Sequence, residues 1–460
     1  MRVPLGLGAG LLTLLLVWAL VLGWWQANDV QPGARDLALY LLLLPLALLG
    51  GYGLLRGFIG HLQAPTAPAA QVRDPARDPG VPSREDRLSL NLLGATLASA
   101  PGRSADAILD ALAAGHRPGL DPVLRDEAGF PIFTARVTDL DPAAFTAQPA
   151  NAGLPPAFRE GEARRALALL AGILPELLDQ AGEHLGPRPE GARVRLHWLV
   201  PARWATAHHP DLARWLAGLL PARLPTVIEL HPVVAEADGL QALDRLVLAA
   251  GDAAGNPDLL LLCAADSHVG ETSVADWQAR GRLFGPARPA GQVPGEGAVA
   301  LLLASGPGPL RISRTSLGEA AAPPPAGRGV GATVAGLLGQ RLAAWGAPAE
   351  DMQALVADGD HRQPGVAELM QALGSLLDDR DPAELCLRLG TACGTPGAAG
   401  DLLTVAVAAA RARPGSGPVA CLSNQHPHRR AVLLVGHTPT TSPQPDAPQG
   451  SSVTAQSSKS

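Results

Sequence analysis

The chain has 460 residues, 47% of them hydrophobic, with a formal net charge of −6 at pH 7. That supports a large α/β core, and no basic stripe with interleaved aromatics offers a nucleic-acid footprint. The basic residues are arginines apart from Lys459, and the four cysteines, Cys263, Cys386, Cys393 and Cys421, form no CxxC pair, which excludes a disulfide framework and a thiolate zinc site and fits a reducing compartment.

Residues 3–25 (VPLGLGAGLLTLLLVWALVLGWW) carry no charge and are long enough to span a hydrocarbon core of about 30 Å, with Trp24 and Trp25 at the interface. A second apolar run, 37–55, follows a polar connection and ends at Arg56, which can snorkel. No A-x-A-like cleavage site separates them, so residues 1–60 read as a transmembrane hairpin and not as a signal peptide. Only Arg35 lies in the connecting loop, whereas Arg2 precedes the first span and Arg56, Arg73, Arg77, Arg84 and Arg87 follow the second. The expected protein is therefore multi-pass in the inner (cytoplasmic) membrane, with its C-terminal body in the cytoplasm. Residues 61–87 are Pro- and Ala-rich and read as a tether, and 438–460, rich in Ser, Thr, Pro and Gln, as a disordered tail.

Between them, residues 88–437 alternate short apolar runs with helical patterns. Strand LSLNLLGA is followed by helix SADAILDALAAGH, which Ser104 can cap. Helix EARRALALLAGILPELLDQAGEHL is expected to kink or divide at Pro175. Strand VRLHWLV, a helix over 212–224, strand TVIEL, a helix from Gly239 and strand DLLLLCAAD come next. Strands AVALLLA and LRIS, helix VGATVAGLLGQRLAAWG, strand ALVAD, helix GVAELMQALGSLL, strand ELCLRLG, helix GAAGDLLTVAVAAARA and strands PVACLS and RAVLLVG complete the body. Runs such as LLLLCAA have no polar face and read as strands covered on both sides. The pattern predicts two similar α/β halves with mixed sheets and helices between and outside them. No GxGxxG after a strand, no Walker A and no GxSxG elbow occurs, so no cofactor is expected.

The turn PGEGAVALLLA sets Glu296 between two glycines at the mouth of a buried strand, where glycine permits close approach of another backbone and a carboxylate needs a partner. Other candidates have plainer uses. Cys393 precedes a helix but reads as a small buried residue; Asp358, Asp360 and His361 read as a solvated turn; His208, His209 and Asp211 as a helix cap region; His426 and His428 as surface histidines. Asp266, Ser267 and His268 are adjacent on a strand, so their side chains alternate faces and form no relay. No metal site is expected.

The order of the pieces over 88–436 resembles the β-ketoacyl synthases of the thiolase-like superfamily. LSLNLLGATLASAPGRSADAILDALAAGHRPGL resembles that family's first strand, loop and helix, NPDLLLLCAADS its central strand, PGEGAVALLLA its GEGAG strand entry, GTPGAAGDLLTVAVAAARA its GH-x-x-GAAG helix, and CLSNQHPHRRAVLLVG its final hairpin. The resemblance implies a layered αβαβα body, preceded here by the membrane hairpin, and a homodimer. It also implies a cysteine nucleophile, two histidines and a lysine. The nucleophile's place, 233–238 (VVAEAD), has no cysteine, serine or threonine; Asp358 stands at the first histidine, Gly394 at the second and Leu389 at the lysine, and QHPHR replaces the glycine-rich gate. Glu296 alone keeps its place, with its family partners gone and backbone N–H groups of its own turn as the expected donors. The expected function is a catalytically inactive binding or adaptor module at the cytoplasmic membrane face, with a protein partner such as an acyl carrier protein or an effector of bacterial type VI secretion. The alternative is an acyltransferase of fatty-acid or polyketide metabolism with a rebuilt site.

Overall fold

The computed structural model describes residues 82–437, except 187–192, 223, 234–237, 253–257, 307, 321–329 and 378, together with residues 18, 19, 21, 24–27 and 33. The chain divides into two units, Met1–Arg73 and Asp74–Ser460. Apart from residues 18, 19, 21, 24 and 25, the expected membrane spans lie outside the described residues, as do most of the tether and the tail, and among the described residues no helix is long and apolar enough to cross a membrane.

The first half of the body contains β1 (Ser89–Ser99), α1 (Ala105–Ala113), the hairpin β2 (Gly119–Arg125) and β3 (Pro131–Thr134), α2 (Pro142–Ala147), α3 (Gly161–Leu185), β4 (Val194–Pro201), α4 (His209–Leu219), β5 (Thr226–Val233), α5 (Asp238–Asp252), β6 (Leu259–Ser267), α6 (Glu271–Ala279) and β7 (Glu296–Ala304). The second half contains β8 (Leu310–Ser313), β9 (Ser316–Glu319), α7 (Ala332–Trp345), β10 (Ala354–Ala357), α8 (Gln363–Leu376), the single turn α9 (Pro382–Leu385), β11 (Cys386–Arg388), the single turn α10 (Gly390–Cys393), α11 (Gly400–Ala412), β12 (Val419–Ser423) and β13 (Arg429–Gly436).

The main sheet runs β5-β4-β6-β7-β1 and then β8-β13-β12-β10-β11, with β9 beside β13. Leaving β2, β3 and β9 aside, each half follows the same order, its third strand outermost, then the second, fourth, fifth and first. In each half the second, third and fourth strands are parallel, and the fifth runs antiparallel to both its neighbours. The halves meet where β1 and β8 pair antiparallel, from Ser89 opposite Ser313 to Leu92 opposite Leu310.

Three apolar clusters show the layers. Leu167, Leu170 and Leu174 of α3 cover the outer face of the first half together with Leu212 and Leu216 of α4. Leu338 of α7 and Leu369 and Leu373 of α8 cover the second. Between the two halves of the main sheet lie α5, through Leu240, Leu243 and Val247, and α11, through Leu402, Leu403 and Val405. Every described residue of α11 but Gly400 and Arg411 is buried, which is why its sequence has no polar face and runs to alanine: a helix pressed between two sheets has room only for small sides.

Ser104 caps α1 as expected, its Oγ accepting from the Ala107 N–H at 3.1 Å. Helix α3 is not divided at Pro175 but continues through it to Leu185, because eleven buried apolar side chains along its length hold it against the sheet. The cap expected from His208 does not form: it sits at the N-cap of α4 without a side-chain cap bond.

Trp198 of β4 is fully buried among Trp204 and Trp215, and its indole N–H meets no acceptor among the described residues. Trp198→Ala should therefore destabilise the body by about 3–5 kcal/mol through cavity formation, whereas Trp198→Phe, which removes the unpaired donor, should cost less than half of that. Urea unfolding of the two variants against wild type measures the difference.

Candidate functional site

The turn before β7 is crowded as its glycines imply. A Cβ on Gly295 would lie 2.2 Å from the Cys393 carbonyl oxygen, because residues 294–295 run beside Thr395 and Ala135 as short bridges. Glu296 is completely buried there. Its donors are not N–H groups of its own turn, as the sequence suggested, but come from three distant segments. Arg165 of α3 forks onto both oxygens, Nε at 2.7 Å and Nη2 at 2.5 Å. The Val137 N–H donates at 2.8 Å and Ser267 Oγ–H, at the end of β6, at 2.8 Å. An arginine inside a long amphipathic helix gives no local signal that it will meet a carboxylate 131 residues away.

In front of this wall, at the C-terminal ends of β4, β6 and β10, opens a cleft of about 490 Å³. Such crevices beyond the strand ends are where α/β sheets bind ligands. Its lining includes Arg203, Asp266, His268, Ser273, Arg282 and Asp358. Asp266 is held by a bidentate Arg203, one bond of which measures 2.8 Å, and by the Ala398 N–H at 3.0 Å. Burial alone would raise this carboxyl, but Arg203, His268 and the Ala398 N–H hold it below the usual range. His268 Nδ1 lies 3.2 Å from Ser273 Oγ on α6, and burial pushes the imidazole down to about 4, so it is neutral at pH 7. Asp266, Ser267 and His268 thus face Arg203, Glu296 and Ser273 respectively, and no relay links them.

The positions to which the resemblance assigns chemistry are engaged in structure, and of them Asp358 and Gln425 line the cleft. Asp358 accepts from Ser423 Oγ–H at 2.7 Å and from the Asn424 N–H at 2.8 Å, and its own carbonyl accepts from Gln425 of the substituted gate. It and Asp360 are buried, not solvated as expected; Asp360 pairs with Arg362 at 2.9 Å, and His361 Nε2–H donates to the Pro289 carbonyl at 3.0 Å. Leu389 is buried in the core. Gly394 has φ +61°, and a Cβ there would meet the Val293 carbonyl oxygen at 2.9 Å, so no imidazole fits. At the start of α5 the Gly239 N–H donates to Asp401 Oδ2 at 2.9 Å. Cys393 is buried and its thiol is pushed up to about 11 by burial, against a hydrogen bond with Ser99. His426 Nδ1 accepts the N–H groups of His428 and Arg429 and closes a turn.

Among the described residues no metal-ligand cluster gathers in the cleft. Among the described residues one group of three, His197, Glu229 and His231, has such spacing, and it lies on β4 and β5 away from the cleft. Neither this group nor α6, which carries Ser273, has a clear local signal in the sequence.

No protein-family model and no curated protein matches the sequence. Solved structures do match. A β-ketoacyl synthase from Burkholderia phymatum superposes with a TM-score of 0.52 at 16% identity, over 76% of this chain and 99% of its own. A ketosynthase domain for oxazolomycin from Streptomyces albus gives 0.53 at 14% identity over 77% and 75% of the two chains. The ketosynthase from module 6 of the bacillaene synthase of Bacillus subtilis gives 0.52 at 13% identity over 76% and 72%. At these identities the likeness establishes the fold, the mixed α/β thiolase-like fold of ketosynthases, and the fold alone.

Arg165→Ala should cost about 3–5 kcal/mol, because it strands a buried carboxylate, while the double variant Arg165→Met, Glu296→Met should recover most of that loss. Chemical denaturation of the single and double variants gives both values. For His268 the unfolded chain takes up a proton near pH 6.5 that the folded protein takes up only near 4. Its contribution to stability is therefore complete above pH 6.5 and lost as the pH falls toward 4, by roughly 2–3 kcal/mol. His268→Gln should remove that part of the acid slope, read as the difference from wild type in unfolding free energy between pH 7 and 4.

Proposed function

We propose that the chain is a membrane-tethered, catalytically inactive ketosynthase-like protein that binds a partner at the cytoplasmic face of the inner membrane. One observation carries the reading of inactivity: the N-terminus of α5, where a ketosynthase would present its thiolate, has its Gly239 N–H engaged by the buried carboxylate of Asp401. A helix N-terminus activates a nucleophile by placing unpaired N–H dipoles against developing negative charge, and a carboxylate already there opposes a second anion. The replaced residues agree, since Asp358, Leu389 and Gly394 supply neither imidazole nor ammonium. What stays is the cleft, whose lining sets Arg203, Arg280 and Arg282 among Glu162, Asp266, Asp276, Asp358 and Asp401. An acyl carrier protein, or an effector of type VI secretion, is the partner class proposed, with homodimerisation of the body. Tethering rests on the uncharged runs 3–25 and 37–55 and on the arginine distribution.

A second reading, acyl transfer from a rebuilt site, is favoured by the Ser273 and His268 pair in the cleft. An imidazole held down to about 4 is a weak base, and Asp266, its acidic neighbour, faces Arg203, so the pair lacks the orienting third group of a triad.

The purified full chain is expected to show no condensation of acyl and malonyl thioesters and no labelling by the cysteine-directed inhibitor cerulenin. Intact-mass analysis after incubation with acyl thioesters should find no covalent adduct. An adduct that maps to Ser273 and disappears in Ser273→Ala would establish the second reading and overturn the first.

A further inference from the structure

Strands β4 and β5 are parallel neighbours at the edge of the sheet, in a register that sets His197 opposite Glu229 and Leu199 opposite His231. Residues two apart on a strand share a face, so Glu229 and His231 project to one side, and the register brings His197 alongside them. His197 Nδ1 lies 3.0 Å from His231 Nε2 and 3.6 Å from Glu229 Oε2, and His231 Nε2 lies 3.8 Å from the same oxygen. The point equidistant from these three atoms is about 2.0 Å from each, the length of a bond from zinc to imidazole nitrogen or carboxylate oxygen.

A hydrogen bond between the two rings explains the shortest of these distances. It does not explain the carboxylate, which at 3.6 and 3.8 Å is too far to accept from either ring and yet is placed evenly between them. A shared cation accounts for all three. The rings stack at 5.2 Å between centroids and 26° between planes. Burial holds both imidazoles below the usual histidine range, with Glu229 opposing.

The three side chains line a second cavity, of about 390 Å³, bounded by α5 and sharing no residue with the cleft. Arg195 and Arg245 also face it; Arg195 is paired with Asp258 at 2.8 Å. Two imidazoles and one carboxylate form a borderline donor set, which suits zinc or cobalt better than the oxygen-seeking magnesium or calcium. We propose that His197, Glu229 and His231 bind one divalent transition-metal ion, zinc for preference, with the fourth position open to the cavity. With the arginines near, water or an anion completes the coordination. The ion ties the outermost strand of the first half to its neighbour.

The test uses the full chain, stripped with chelator and titrated with Co²⁺, followed by zinc competition and calorimetry. The expected result is one equivalent per chain with the visible absorption of four-coordinate cobalt, displaced by Zn²⁺. Glu229→Gln and His231→Ala should each weaken binding at least tenfold, and Zn²⁺ should raise the melting temperature of wild type but not of Glu229→Gln. The surface-pair variant His426→Ala, His428→Ala should bind as wild type does. His197 is the most buried of the three and its replacement can unfold the edge, so the half-exposed Glu229 carries the test. No uptake by wild type, undiminished uptake by Glu229→Gln and His231→Ala, or loss of uptake in the surface-pair variant would each overturn the proposal.

Discussion

A carboxylate with no access to water has to be matched donor for donor, and Glu296 is the residue on which the architecture of the cleft depends. Its oxygens draw together the start of β7, the segment after β3, the end of β6 and the first turns of α3. Arg165 reinforces the same junction by also donating to the Val137 carbonyl at 3.0 Å. Transferring two ions into the interior is unfavourable by itself, so such a pair fixes one arrangement more than it adds net stability. The fixed arrangement is a back wall against which the strand ends and the cleft are set.

The rest of the cleft follows the same logic. Asp266, Asp358 and Asp401 are all buried, and each accepts a backbone N–H from another segment, at Ala398, Asn424 and Gly239 respectively. Groups held in this way are poor acids, bases and nucleophiles, since any change in their charge would break bonds that position the loops around them. The cleft's arginines are paired too, Arg203 with Asp266, Arg280 with Asp276 and Arg282 with Gln292, and His268 lies against Ser273.

How much of this was legible in the sequence depended on how local the signal was. The apolar runs of β6, β7 and β13, the alanine-rich helix α11 and the Ser104 cap follow from periodicity and composition, and they were enough to indicate two α/β halves in layers. The β2 and β3 hairpin was missed because its strands are short and largely exposed, with Pro122 inside one of them. Helix α6 was missed because ETSVADWQA has almost no apolar stripe. Arg165 as the partner of Glu296, and the grouping of His197 with Glu229 and His231, depend on packing and on the register of parallel strands separated by about thirty residues. Nothing in either segment encodes that register by itself.

The two halves also repeat the buried ion pair, with its sign reversed. In the first half the carboxylate sits at the start of the fifth strand, Glu296 on β7, and the arginine on the outer helix α3. In the second half the arginine sits at the start of the corresponding strand, Arg430 on β13, and the carboxylate, Glu368, on the outer helix α8 at 2.8 Å. All four side chains are nearly or fully buried. The halves share one strand order, and their ion pairs occupy corresponding places in it. If α8 packed over β7, Glu368 would meet Glu296, and if α3 packed over β13, Arg165 would meet Arg430. Like charges brought together out of water are strongly unfavourable, whereas two large apolar faces would hardly distinguish the exchange. Each outer helix is thus matched in charge to the strand that it covers.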